Sequence, residues 1–142
     1  FPGFNDLKVT QTHKEQANLL ETRIKKDLED SQNQLFDNFI PYIQLHEFEA
    51  LVFASISGID SLFERSEMDY NGLMNVIQQY PNPEDINNHP DTAPSVRLKK
   101  LISGYNKVLH GIDIINTVGM AELLEKCPRF KTWIESMVEA LV

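Results

Sequence analysis

Only one stretch of this sequence reads as a β-strand, and one strand cannot make a sheet. The stretch is Phe39-Ile40-Pro41-Tyr42-Ile43-Gln44-Leu45, rich in the β-branched and aromatic residues that suit extended backbone. Pro41 cannot donate to a ladder, so it belongs at the strand's start or on an edge. A strand-to-helix junction is expected near His46. Most of the remaining sequence carries helix signals. Thr12 followed by Glu15 is a capping-box pattern, and Ala17, Leu20, Ile24 and Leu28 recur after it at helical spacing; a helix is predicted from Thr12 to Ser31. A short helix fits Asp60 to Arg65. Asp69 is placed to cap a helix with Leu73, Val76, Ile77 and Tyr80 on its apolar face. Asn82 and Pro83 suit the cap and first residue of a brief turn through Ile86. Helical pieces follow over Val96–Ile102, Tyr105–Leu109, Ile112–Val118 and Met120–Lys126, punctuated by Gly104, Gly111 and Gly119. Pro128 opens a last helix whose stripe is Phe130, Trp133, Ile134, Met137 and Leu141. Phe1 to Thr10 reads as an irregular arm with a Pro-Gly turn. Further strands must then be hidden in the first 45 residues or lie upstream of Phe1.

A chain of 142 residues fits one domain, or most of one. Its 42% hydrophobic content is enough to build a core and argues against disorder as the main state. Thirteen Lys plus Arg against 21 Asp plus Glu give 13 − 21 = −8. That excludes coating nucleic acid through the whole surface but leaves room for a local basic site. Cys127 is the single cysteine, which excludes an internal disulfide and a cysteine-based zinc cage. A reducing, cytoplasmic setting is expected. No apolar run is long enough to span a membrane as a helix. Phe1-Pro2-Gly3-Phe4 has neither the basic start nor the apolar core of a signal peptide. Without an initiator Met, the chain is expected to be processed or the later part of a longer protein.

The densest polar cluster in an apolar setting is His46-Glu47-Phe48-Glu49. On a helix, His46 and Glu49 share a face and could share a metal ion or form an acid/base pair. On a strand, Glu47 and Glu49 share a face instead, which suits Mg²⁺ with its preference for oxygen ligands. The structural alternative is two solvated glutamates and a locally hydrogen-bonded His46. A second feature is a charge anomaly. From Thr92 to Ile112 there is no acidic residue, while Arg97, Lys99, Lys100 and Lys107 are basic. Such a face suits phosphate groups, with His110 adding to it below its pKa; equally, it can be a solvated face paired with acidic neighbours. Tyr105 is the main aromatic residue nearby, which makes stacking on single-stranded bases a weak idea. Phe130 and Trp133 read as core. Cys127 lacks an evident base, and His13 and His89 need no role. No Gly-rich phosphate loop, Ser-based elbow or His-Glu-x-x-His motif is present.

Four stretches make a more specific match. They are Phe39 to Phe53, Pro83 to Lys100, and Gly104-Tyr-Asn-Lys-Val-Leu-His-Gly111 together with Lys126-Cys-Pro-Arg-Phe130. With the opening Phe1-Pro2-Gly3 they resemble the bacterial and archaeal domain-of-unknown-function family 4276 over nearly the whole chain. That family looks like a divergent member of the Toprim superfamily. The resemblance implies an α/β Toprim-like fold, of which this chain would be the predominantly helical C-terminal part, lacking the N-terminal strands and so most of the sheet. It implies a metal-dependent, nuclease-like activity on nucleic-acid phosphodiesters, with Mg²⁺ or Mn²⁺ as cofactor and an ATPase as partner, in a phage-defence or DNA-repair setting. By similarity, Glu47 and Glu49, with His46, become metal-site candidates. Glu49, Lys107 and His110 become catalytic candidates, and Arg97, Lys100 and Lys107 phosphate-binding ones. If no other chain supplies the missing strands, no catalysis by this piece alone is expected. The contrasting expectation is a non-catalytic module that docks a partner protein or nucleic acid through the basic 92–112 segment.

Overall fold

The computed structural model describes residues 1–86 and 89–141. Asn87 and Asn88, within the second of the matching stretches, and Val142 lie outside the described residues. Helix α1 (His13–Gln32) starts where the sequence places it. Thr12 Oγ1 accepts from the Glu15 backbone N–H, and the Glu15 carboxylate accepts from the Thr12 N–H. These bonds satisfy orphan donors at the helix start. Asn33 ends the helix in the left-handed region at φ 48°. The remaining helices are α2 (Ile56–Asp60), α3 (Tyr70–Gln79), α4 (Pro94–Leu101), α5 (Lys107–Lys126) and α6 (Pro128–Glu139). Short 3₁₀ turns lie at Phe4–Asp6, Phe48–Ala54, Arg65–Glu67 and Pro83–Asp85.

The expectation of an α/β fold carrying part of a sheet is overturned: the described residues form helices and turns, with no strand among them. One isolated antiparallel bridge joins Met68 to Ile102. Phe39–Leu45, the expected strand, belongs to no strand and meets its backbone needs by other means. Glu21 Oε1 accepts from the Ile43 N–H at 2.6 Å, and the Trp133 indole N–H donates to the Ile40 carbonyl at 2.9 Å. The local sequence favours extended backbone, but a sheet needs a partner strand, and side chains of α1 and α6 do part of that work here.

By packing, the chain divides into two units, Phe1–Leu45 with Thr132–Val142 and His46–Lys131. In the first, α1 buries only Ala17 among its residues. Arg23 pairs with Asp6 at 2.9 Å, and Trp133 stacks on Tyr42 with ring centroids 4.8 Å apart. An open groove of about 900 Å³ runs along α1 past Leu35, Phe39 and Pro41.

The second unit holds the main core. Glu49 to Ala54 are six consecutive buried residues. A segment that is apolar nearly all round must be enclosed, and α3, α4 and α5 pack around it. Phe53, Ile59, Leu73, Ile86, Leu98, Ile102 and Ile114 are fully buried here, each contributing on the order of 1.5–3 kcal/mol by removal from water. The sequence suggests separate pieces over Tyr105–Leu109 and Ile112–Val118; instead one helix runs through Gly111, which packs against Phe48. Gly119 does break α5, at φ 79° and ψ 158°. No helix among the described residues is long and apolar enough to cross a membrane.

Candidate functional site

The site forms where the Phe48–Ala54 turn, buried from Glu49 onward, meets the start of α5. Asn106 fixes that start: its side-chain oxygen accepts from the Val108 and Leu109 N–H groups at 3.0 and 3.3 Å. His110 answers by accepting the Asn106 N–H on Nδ1 at 3.1 Å. Its ring also meets Phe63 edge-on at 4.8 Å and lies 6.0 Å from the Tyr105 ring. In the neutral ring the proton is therefore on Nε2, which is a donor.

Glu49 is 2% exposed. Its Oε1 lies 3.6 Å from Lys107 Nζ, the one ion pair made by Glu49 among the described residues. At that separation the charge is offset, but no hydrogen bond is made, and Oε1 is buried without a hydrogen-bond partner. The Tyr105 hydroxyl is likewise buried and without a hydrogen bond. Burial, then the nearby Glu49 and Glu47 carboxylates, push the Tyr105 phenol up to about 12. Tyr105 therefore remains a neutral donor across the physiological range.

Glu47 has a different occupation. Helix α4 begins at Pro94, and its cap Ala93 offers no side-chain acceptor. Glu47 Oε2 supplies one, accepting the Ser95 N–H at 2.8 Å. Partial burial alone would raise the Glu47 carboxyl; the Ser95 hydrogen bonds and the Lys107 and Lys99 charges outweigh it, and the group lies below its ordinary value. Glu47 thus caps α4 from 48 residues away while sharing Lys107's field with Glu49.

The other candidates are placed as follows. Arg97 Nε donates to the Thr92 carbonyl at 2.7 Å, and its guanidinium lies 5.5 Å from the Tyr80 ring centroid. Lys100 Nζ donates to the Asp91 carbonyl at 3.2 Å. Both are tied to the loop before α4, reaching back along the chain, while Lys99 and Lys107 act on Glu47. His46 is half-buried just ahead of Glu47.

The donor chemistry fits a hard divalent cation in part. Among the described residues no group of three His, Cys, Asp or Glu is placed to hold a metal ion. Two neighbouring carboxylates, one with a buried oxygen lacking a hydrogen bond, nevertheless suit Mg²⁺, which takes one or two protein carboxylates and fills its shell with water and phosphate oxygens.

One residue with a large role escapes the sequence reading. Glu84 is 4% exposed, and its two carboxylate oxygens accept the N–H groups of Arg129 and Phe130, each at 2.9 Å. It caps α6 behind Pro128. Its partners are 45 and 46 residues away, and no local pattern marks them. Cys127, beside that cap, is fully buried; burial, then Glu84, push its thiol up to about 12, so it is inert as a nucleophile.

No curated protein and no solved structure matches this chain. Residues 3–138 match the family described as Domain of unknown function (DUF4276), and the chain belongs to that family.

Proposed function

We propose that this chain contributes the Glu47–Glu49–Lys107 cluster to a metal-dependent, nuclease-like action on nucleic-acid phosphodiesters, with Mg²⁺ or Mn²⁺ as cofactor, in a phage-defence or DNA-repair setting beside an ATPase partner. The observation that carries the reading is the approach of Lys107 Nζ to within 3.6 Å of the buried Glu49 carboxylate. A cation and an acidic ligand must converge within a few ångströms if a phosphate and its metal are to meet, and these two converge from the Phe48–Ala54 turn and the start of α5. Glu49 and Glu47 are the residues that would hold the ion. When bound, it supplies charge neutralisation at the phosphoryl oxygens and a more acidic water. Lys107 is exposed enough to meet a phosphate from solvent. His110, with Nδ1 engaged, offers a hydrogen-bond donor at Nε2 rather than a base. Tyr105 stays protonated and can donate beside Glu49.

A supercoiled-plasmid nicking assay in Mg²⁺ and Mn²⁺ tests this, comparing the chain with Glu49→Gln and Lys107→Ala, each with and without nucleic-acid-stimulated ATPase fractions from the same source. Nicking lost in Glu49→Gln and diminished in Lys107→Ala supports it. Nicking that persists in Glu49→Gln overturns it.

A second reading is a non-catalytic docking module. It is favoured by the engagement of Glu47 as the cap of α4 and by the tethering of Arg97 and Lys100 to the Asp91–Thr92 loop. Its signature is binding that persists in chelator and weakens with salt, without strand cleavage.

A further inference from the structure

We propose that Lys107 is a displaceable stand-in for the divalent cation at Glu49, so that metal binding releases its ammonium toward the phosphate. This inference rests on the reading above and deepens it. Four observations converge on it. The Glu49 side chain is 3% exposed and needs a counter-charge. Lys107 provides that charge from 3.6 Å, too far for a good hydrogen bond. The Lys107 side chain is itself 63% exposed, so withdrawing its head group sacrifices little packing. Finally, Glu49 Oε1 and the hydroxyl of Tyr105, a residue 7% exposed, both lack hydrogen-bond partners.

An ion pair built for stability satisfies the lone pairs of its carboxylate as well as its charge. This one supplies charge and leaves Oε1 without a hydrogen bond, an arrangement suited to a ligand that brings both charge and a bond to that oxygen. A divalent cation at Glu49 Oε1 would sit against the ammonium at contact range, and two positive charges so close in a partly dry site repel strongly. One must leave, and the exposed lysine is the mobile one. Its side chain is already 63% exposed, so the released ammonium would be available to a phosphate. The ion and the lysine therefore compete for Glu49 and cooperate on the substrate.

The test is Mn²⁺ binding to the full chain by water-proton relaxation, with no activity readout. Lys107→Met removes the charge and keeps the stem; it should bind Mn²⁺ at least roughly tenfold more tightly than the parent. Lys107→Arg should bind like the parent, and Glu49→Gln should bind at least roughly tenfold more weakly. A second measurement covers the case in which Lys107→Met fails to fold. In the parent chain carrying ¹³C-dimethylated lysines, the Lys107 resonance should shift on Mg²⁺ addition and saturate with the binding curve. Parent binding with no gain in folded Lys107→Met, or with an unmoved Lys107 resonance, overturns the stand-in role while leaving the metal site intact. No Mn²⁺ binding by parent or variant overturns the metal site itself, and the stand-in with it.

Discussion

Gly58 in α2 lies so close to Ile114 in α5 that a Cβ at residue 58 would come within 2.7 Å of the Ile114 carbonyl oxygen. The same Cβ would meet Ile114 Cγ2 at 2.8 Å and Val118 Cγ2 at 2.9 Å. A carbonyl in a helix cannot step aside without disturbing its neighbours, so Gly58→Ala should force the two helices apart. We expect a loss of about 1–3 kcal/mol, read from the midpoint of urea unfolding. A midpoint equal to that of the parent would show that α2 can withdraw without cost.

The Glu84 carboxylate takes two backbone donors at once. Glu84→Ala leaves the Arg129 and Phe130 N–H groups without that acceptor, and about 2–4 kcal/mol should be lost. Glu84→Gln keeps one acceptor oxygen and should cost about half as much. Amide hydrogen exchange checks the mechanism: protection should fall first at residues 129–130 rather than across the core.

Glu49 and Lys107 should respond unequally to removal. In chelator, Lys107→Met leaves a buried carboxylate without its counter-charge and should lower stability by about 1–2 kcal/mol, the lysine's exposure keeping the figure modest. Glu49→Gln removes the buried charge itself, and stability should stay within about 1 kcal/mol of the parent. Urea unfolding of the two variants side by side decides it; equal losses would mean that packing, not charge, sets the cost.

The Tyr105 phenol gives a pH dependence of definite sign. Its pKa is raised from 10.0 when free to about 12 in the fold, by burial and then by Glu49 and Glu47. A raised folded pKa contributes stability in full below the unfolded value and loses it as pH climbs through the folded value. Alkaline destabilisation should therefore set in between pH 10 and about 12. Tyr105→Phe should flatten that limb of the stability curve. Ultraviolet difference titration should show one of the four tyrosines ionising last, and that late step should vanish in the variant.

The parts of this fold legible in the sequence are those whose causes are local. Thr12 with Glu15, Asp69, Asn82 with Pro83, Gly119 and Pro128 all sit at helix boundaries where the sequence suggests them, because capping and backbone strain act within about one turn. Phe39–Leu45 shows the limit. Its residues favour extended backbone, but whether an extended segment joins a sheet depends on partners far away in sequence, here Glu21 and Trp133 side chains. The neighbourhood of Glu49 with Lys107 was suggested by charge and by family resemblance. The use of Glu47 and Glu84 as distant caps was not, since capping by a residue more than 40 positions away leaves no periodic or spacing signal. The burial of the Tyr105 hydroxyl beside Glu49 is hidden for a related reason: an isolated tyrosine shows its environment only once the chain has closed around it.

The break at Gly119 changes what α5 can present. At φ 79° and ψ 158° the backbone occupies a region essentially reserved for glycine, and a Cβ there would meet nothing within 4 Å. Lys107 to Val118 and Met120 to Lys126 are thus two rods on a glycine joint rather than one lever. The helix axis therefore changes direction at Gly119, between the end that carries Lys107 and the end that leads to Cys127. Ile114 and Val118 before the joint and Leu123 after it all enter the same core, so the bend lets a single helix present both of its halves to one interior while its first turn carries Lys107 out to solvent.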